Sequence, residues 1–130
     1  MNNVDSIYFH FPFCAHLCNY CDFYKKVAQD KKIDYKNYQE FLLDGREKHH
    51  NYLIENGYGW SELKTVYMGG GTPSLWGQEG ASFITSFLQK LGTGLDSQCE
   101  FTLEVNPATW TAEGIESWIK AGVNRFSIGI

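Results

Sequence analysis

The chain has no apolar run long enough to cross a bilayer. No targeting segment is visible either: Met1 to Ser6 is polar, carries Asp5 and lacks the apolar stretch expected of a secretory leader. Positive charge is not in surplus: 11 Lys and Arg against 15 Asp and Glu give a net charge of −4. That balance leaves no electrostatic footprint for nucleic acid. The lysines that do cluster, Lys25, Lys26, Lys31 and Lys32, read as a solvated loop before they read as a phosphate patch. There is no low-complexity tract, no repeat beyond a βα unit and no internal domain boundary. Cysteine is scarce, with four in 130 residues. These absences point to one domain in the reducing cytoplasm, where neighbouring thiols serve as metal ligands more readily than as disulfides.

What is present alternates regularly. Ser6 to Phe11 reads as a strand, Asp34 to about Glu55 as a helix with Tyr35, Tyr38, Leu42, His49 and Tyr52 at helical spacing, and Thr65 to Met68 as a second strand. Gln78 to Leu91 reads as a helix stopped by Gly92 and Gly94, and Glu100 to Val105 as a third strand ended by Asn106 and Pro107. Thr111 is the expected N-cap of a third helix, with Ile115, Trp118 and Ile119 inward and Gly122 at its end; Arg125 to Ile130 is a fourth strand. A βαβαβαβ order predicts an α/β fold with about four parallel strands, three helices and right-handed crossovers. A full α/β barrel needs roughly 200 residues or more. Ile130 falls in mid-strand, so residues 1–130 are expected to be the N-terminal part of a longer domain.

Parallel strands covered on both faces are usually continuously apolar. These are not. Ile7, Phe9 and Phe11 oppose Tyr8 and His10; Phe101, Leu103 and Val105 oppose Thr102 and Glu104; Phe126 and Ile128 oppose Arg125 and Ser127. The apolar set should meet the helices. The polar face either lines a ligand-filled lumen or is left bare by a missing helix layer.

Three cysteines lie together in FCAHLCNYCDF, as Cys14-x3-Cys18-x2-Cys21. Thiolates favour zinc or the iron of iron–sulfur clusters. A closed zinc site wants four ligands. His16 could complete one, at the cost of strain between closely spaced ligands. Cys99 sits near a strand start, at the opposite end of a parallel sheet from the cysteine loop, and reads as a small buried apolar residue. In a 4Fe–4S cluster, three thiolates leave one iron open to a chelating ligand. Gly69-Gly70-Gly71-Thr72 follows the second strand, at the edge that carries the cysteine loop, and consecutive glycines admit a ligand to the backbone. The run is neither a P-loop nor a G-x-G-x-x-G turn. Glu104 adds a carboxylate near the same edge, suited to an ammonium or a ribose hydroxyl.

The three motifs, in this order after successive strands, resemble the radical S-adenosylmethionine (SAM) enzymes. More narrowly, YFHFPFCAHLCNYCDF, MGGGTPSLW, LEVNPATWT and GVNRFSIGI resemble the group of oxygen-independent coproporphyrinogen III oxidases and HemW haem chaperones. The resemblance covers nearly the whole chain and implies the N-terminal part of a partial (β/α)6 TIM-like barrel, a truncated radical SAM core domain. It implies that Cys14, Cys18 and Cys21 ligate a 4Fe–4S cluster and that SAM chelates the open iron. Tyr8 and Tyr20 would lie beside cluster and SAM, ordinary aromatic packing being the other reading of both; Gly70, Gly71 and Thr72 would border the methionine end of SAM, and Glu104 would contact it. The chemistry implied is reductive cleavage of SAM, which belongs to the cofactors and needs an electron donor.

One residue separates the branches of that group. The decarboxylating oxidases carry a further cysteine two positions after the third, where this chain has Phe23. On that point it is similar to the HemW type, which implies haem binding and delivery to respiratory haem proteins. A haem or porphyrin site would lie beyond Ile130. The alternatives are oxidative decarboxylation of coproporphyrinogen III in porphyrin biosynthesis and, in a different class, a structural zinc module.

Overall fold

The computed structural model describes residues 2–14, 26–27 and 30–129. Six strands and three α-helices follow one another: β1 (Asn2–Phe11), β2 (Phe13–Cys14), β3 (Lys26–Val27), α1 (Lys31–Glu55), β4 (Tyr58–Gly70), α2 (Gly77–Lys90), β5 (Leu95–Val105), α3 (Ala112–Ala121) and β6 (Arg125–Ile128). A short 3-10 turn, Pro73–Trp76, leads into α2. The main sheet has the order β1-β4-β5-β6 and every pairing in it is parallel. β2 and β3 form a separate two-residue parallel pair, Phe13 with Lys26 and Cys14 with Val27. The expected four-stranded parallel α/β sheet with three helices is what the chain forms.

Two-residue periodicity decides which face is covered. Phe9, Phe11, Val66, Met68, Phe101, Leu103 and Val105 are buried on one face. All three helices pack there: Phe87 of α2 meets Phe9 edge-on at 5.2 Å, Tyr35 and Tyr38 of α1 flank Phe11, and Trp76 joins Phe11 to Trp118 of α3. Burying one such aromatic side chain contributes on the order of 2 kcal/mol. The opposite face carries Tyr8, His10, Thr65, Tyr67, Glu104, Arg125 and Ser127, none of them buried, and Thr102, which is buried and accepts from the Arg125 guanidinium at 3.2 Å. Among the described residues no helix covers it.

Local signals set the helix ends. Asp30 caps α1 by accepting from the Ile33 N–H, and Thr111 caps α3 by accepting from the Gly114 N–H, as expected of a Thr there. Two inward assignments differ, Ile119 of α3 and Ile128, the last residue of the edge strand β6, which is 55% exposed. Of the α1 residues at helical spacing, Tyr35 and Tyr38 are buried, while His49 and Tyr52 are exposed. Ile119 is 52% exposed because its neighbour Trp118 takes the core side of α3. β1, β4 and β5 begin earlier than predicted. Their polar leading residues are held by backbone pairing, with irregularities between Val4 and Ser6 and between Leu63 and Thr65.

Candidate functional site

Ligands of open parallel sheets bind beyond the carboxyl ends of the strands. That edge brings together Phe11 to Cys14, Gly69 to Thr72 and Glu104 to Asn106. The register builds two rungs of the uncovered face. Tyr8 stands opposite Tyr67, Tyr67 opposite Thr102, and Thr102 opposite Arg125; one rung nearer the edge, His10 stands opposite Gly69 and Glu104 opposite Ser127.

Glu104 is held at both oxygens. Oε1 accepts the Gly70 N–H at 2.9 Å, and Oε2 accepts the Tyr67 hydroxyl at 2.8 Å. A carboxylate has about four acceptor positions, so both oxygens can take further donors. The Tyr8 ring lies 5.8 Å from the Tyr67 ring, and its hydroxyl is 3.0 Å from Nδ1 of His10. Partial desolvation raises the Tyr8 phenol above its ordinary pKa, and the Glu104 charge adds to this. Desolvation also raises Tyr67, together with its hydrogen bond to Glu104; Ser127 and Arg125 pull it the other way. Both phenols therefore stay protonated at neutral pH and serve as donors.

Gly69 makes that convergence possible. A Cβ on it would lie 2.8 Å from Tyr67 Cε1, 2.9 Å from Glu104 Oε1 and 3.1 Å from Tyr8 Cε2. The sequence reading singled out Tyr8 and Glu104 but missed Tyr67, Gly69 and His10 as their supports. Alternation along β4 would have put Tyr67 and Gly69 on the polar face; only the register shows that they meet Glu104.

Gly70 and Gly71 are explained first by the protein's own backbone. Gly70 has φ +110°, and a Cβ on it would lie 2.6 Å from the Phe11 carbonyl oxygen. One on Gly71 would lie 2.4 Å from the Phe13 carbonyl oxygen and 2.9 Å from Cys14 Sγ. The Gly71 N–H donates to Phe11 O at 2.6 Å and the Thr72 N–H to Phe13 O at 2.8 Å. The glycine run thus clamps the segment carrying Cys14 against the end of β4. The missing side chains would meet the His10–Cys14 segment, first its carbonyls and then the His10 ring and Cys14 Sγ.

Cys14 is buried at this edge. Cys18, Cys21 and Tyr20, with His16 and Phe23, lie outside the described residues. Cys99 is buried within β5, where desolvation pushes its thiol pKa up, with the charges of Asp96 and Glu100 adding to it. Its neighbour Glu100 is level with Thr65 and so with Ser6, five strand residues or about 17 Å short of Phe11. The topology keeps Cys99 away from the Cys14 edge, in line with its reading as a buried apolar residue. A separate groove of about 400 Å³ between α2 and α3, lined by Ala81, Thr85, Gln89, Ser117 and Lys120, lies on the helix layer and shares no residue with this edge.

The edge fits an iron–sulfur centre with an amino-acid-like ligand. A soft thiol, Cys14, packs against Gly71 at the same strand edge where the neighbouring Gly70 N–H holds a hard carboxylate, Glu104. A parallel sheet with helices on one face has the architecture of one wall of an α/β barrel, with this edge at the carboxyl ends of its strands. The Radical SAM superfamily model matches residues 8–130, and the chain belongs to that superfamily. Membership implies SAM and a 4Fe–4S cluster in general. The chain is 39% identical over 131 residues to the "Heme chaperone HemW" of Lactococcus lactis, covering 100% of this chain and 31% of that protein. It is 34% identical over 127 residues to the HemW of Bacillus subtilis, covering 98% and 32%. "Anaerobilin synthase" of Escherichia coli O157:H7 is 35% identical over 125 residues, covering 95% and 26%. The chain therefore spans about a third of the length of the HemW relatives it matches. The solved structure of coproporphyrinogen III oxidase (HemN) from Escherichia coli superposes with a TM-score of 0.73 at 24% identity, covering 99% of this chain and 28% of that one, a likeness of fold.

Proposed function

We propose that this chain is the N-terminal, cluster- and SAM-binding part of a HemW-type protein that binds haem and delivers it to respiratory haem proteins in the cytoplasm. The observation that carries this reading is the meeting of the Cys14 segment, the glycine run and Glu104 at one sheet edge, in a chain resembling HemW proteins from end to end. Cys14, Cys18 and Cys21 hold the cluster; Tyr8, Tyr20, Gly70, Gly71, Thr72 and Glu104 border SAM. Bound there, the cluster and SAM supply one-electron chemistry, with the electron coming from a separate donor. The chain's own residues do the rest. The thiols fix the cluster at the strand edge, the Gly70 and Tyr67 donors orient Glu104, and the Tyr8 ring flanks it.

Coproporphyrinogen III oxidation is the second reading, favoured by the likeness of fold to HemN. Phe23 weighs against it, since it supplies no thiol, acceptor or proton where the oxidases have a cysteine. A structural zinc module is the third. One experiment separates all three: anaerobic reconstitution of the natural protein carrying this chain, then coproporphyrinogen III, SAM and reductant in one sample and a haem titration in another. We expect bound iron and sulfide, stoichiometric haem binding and no protoporphyrinogen IX. Multiple turnovers would move the assignment to the oxidase, and bound zinc without sulfide to the structural module. Cys14→Ala, Cys18→Ala and Cys21→Ala should each abolish stable iron loading, whereas Cys99→Ala should retain it. Equal iron loss in Cys99→Ala would overturn the ligand set.

A further inference from the structure

A carboxylate that receives a ligand must stand in one orientation before the ligand arrives, or binding loses the free energy of ordering it. Glu104 meets that condition through two donors of different kinds. One is a backbone group, the Gly70 N–H at 2.9 Å, available whatever side chains surround it. The other is a side chain, the Tyr67 hydroxyl at 2.8 Å, which is specific to this sequence position. Tyr67 is itself constrained. Its ring packs 5.8 Å from that of Tyr8, and its Cε1 fills the space left by the absent Gly69 side chain. β4 lies between β1 and β5, so Tyr67 stands between the strand that carries Tyr8 and the strand that carries Glu104.

We propose that Tyr67 is a positioning residue for SAM, acting through Glu104: it fixes the plane of the Glu104 carboxylate so that the free lone pairs face the donors of the bound ligand. This rests on the SAM site proposed above and adds to it a residue that touches Glu104. The Gly70 N–H alone leaves the carboxylate free to rotate about its Oε1 contact. The hydroxyl on Oε2 removes that freedom. Gly69 is the complementary element, because any side chain there would push Tyr67, Tyr8 and Glu104 apart.

Tyr67→Phe deletes one oxygen and keeps the ring against Tyr8, so the fold survives the substitution. The test is a double-mutant cycle on the cluster-loaded natural protein carrying this chain, with SAM affinity read by calorimetry. Tyr67→Phe should weaken SAM binding about ten-fold, the usual effect of losing a hydrogen bond to a charged group. In a Glu104→Gln background the same change should have less than a two-fold effect, because the group it orients is already altered. Iron and sulfide content should match the wild type in all four proteins. Unchanged affinity in Tyr67→Phe, or an equal loss in both backgrounds, overturns the positioning role while leaving the SAM site standing. Failure of the cluster-loaded wild type to bind SAM overturns both.

Discussion

At the scale of single residues, the glycines carry the sharpest distinction between packing and ligand binding. Gly71 was expected to leave room for SAM, yet the space beside its Cα is taken by the Phe13 carbonyl, 2.4 Å from where a Cβ would stand. Backbone cannot rotate away as a side chain can, so Gly71→Ala must displace either the Cys14 segment or the end of β4. The expected cost is about 1–3 kcal/mol, as for other overpacked sites. A fall of several degrees in the melting temperature of the protein measured without SAM would show this. Unchanged stability with weakened SAM binding would show that Gly71 serves the ligand alone and not the packing of the Cys14 segment. Gly70 behaves alike and adds its own strain at φ +110°, so Gly70→Val disturbs the fold before it disturbs a ligand.

At the scale of elements, α1 is tied to the sheet by a buried phenol. Tyr38 packs against Phe11 and Trp76 and donates its hydroxyl to the backbone carbonyl of His10 on β1. Burial pushes its pKa well above the ordinary value near 10, with Tyr8 adding a smaller upward push. The folded state thus keeps this proton at a pH where the unfolded chain has lost it. The contribution is fully present below about pH 10 and shrinks as pH rises beyond it. Urea unfolding followed from pH 8 to 11 should show stability level at first and falling above about pH 10. Tyr38→Phe should be less stable at pH 8 and show a shallower alkaline decline. An equally steep decline in Tyr38→Phe would place the alkaline sensitivity elsewhere.

At the scale of the whole molecule, the sheet has two edges and one uncovered face among the described residues. β1 and β6 each pair on one side, and Tyr8 and Ile128 are 56% and 55% exposed. An unpaired parallel edge is a template for association, and an uncovered sheet face leaves apolar rings in water. The 130-residue chain expressed alone is therefore expected to aggregate or to remain partly unfolded. Analytical ultracentrifugation with a thermal melt decides it: a monodisperse monomer with one cooperative transition would refute the expectation.

The order of apolar and polar residues determined much of this protein by itself. Period-two alternation in β1 and β5 settled which side chains meet helices, because a strand has only two faces; in β6 it held for Phe126 but not for Ile128, which is exposed. Thr111, Gly122 and the Tyr35–Tyr38 pair marked helix ends and a helix face through interactions a few residues long. The cysteine spacing, the glycine run and Glu104 were visible as a set along one strand edge for the same reason. What the sequence could not supply was inter-strand register and the reach of one element over another. Register is fixed by backbone pairing between segments more than thirty residues apart, as when Tyr67 and Gly70 meet Glu104. Register brought Tyr67 and Gly69 to the carboxylate and turned the absent side chains of Gly70 and Gly71 toward the Phe11 and Phe13 carbonyls, while the packing of α3 through Trp118 left Ile119 in solvent where helical spacing had placed it inward.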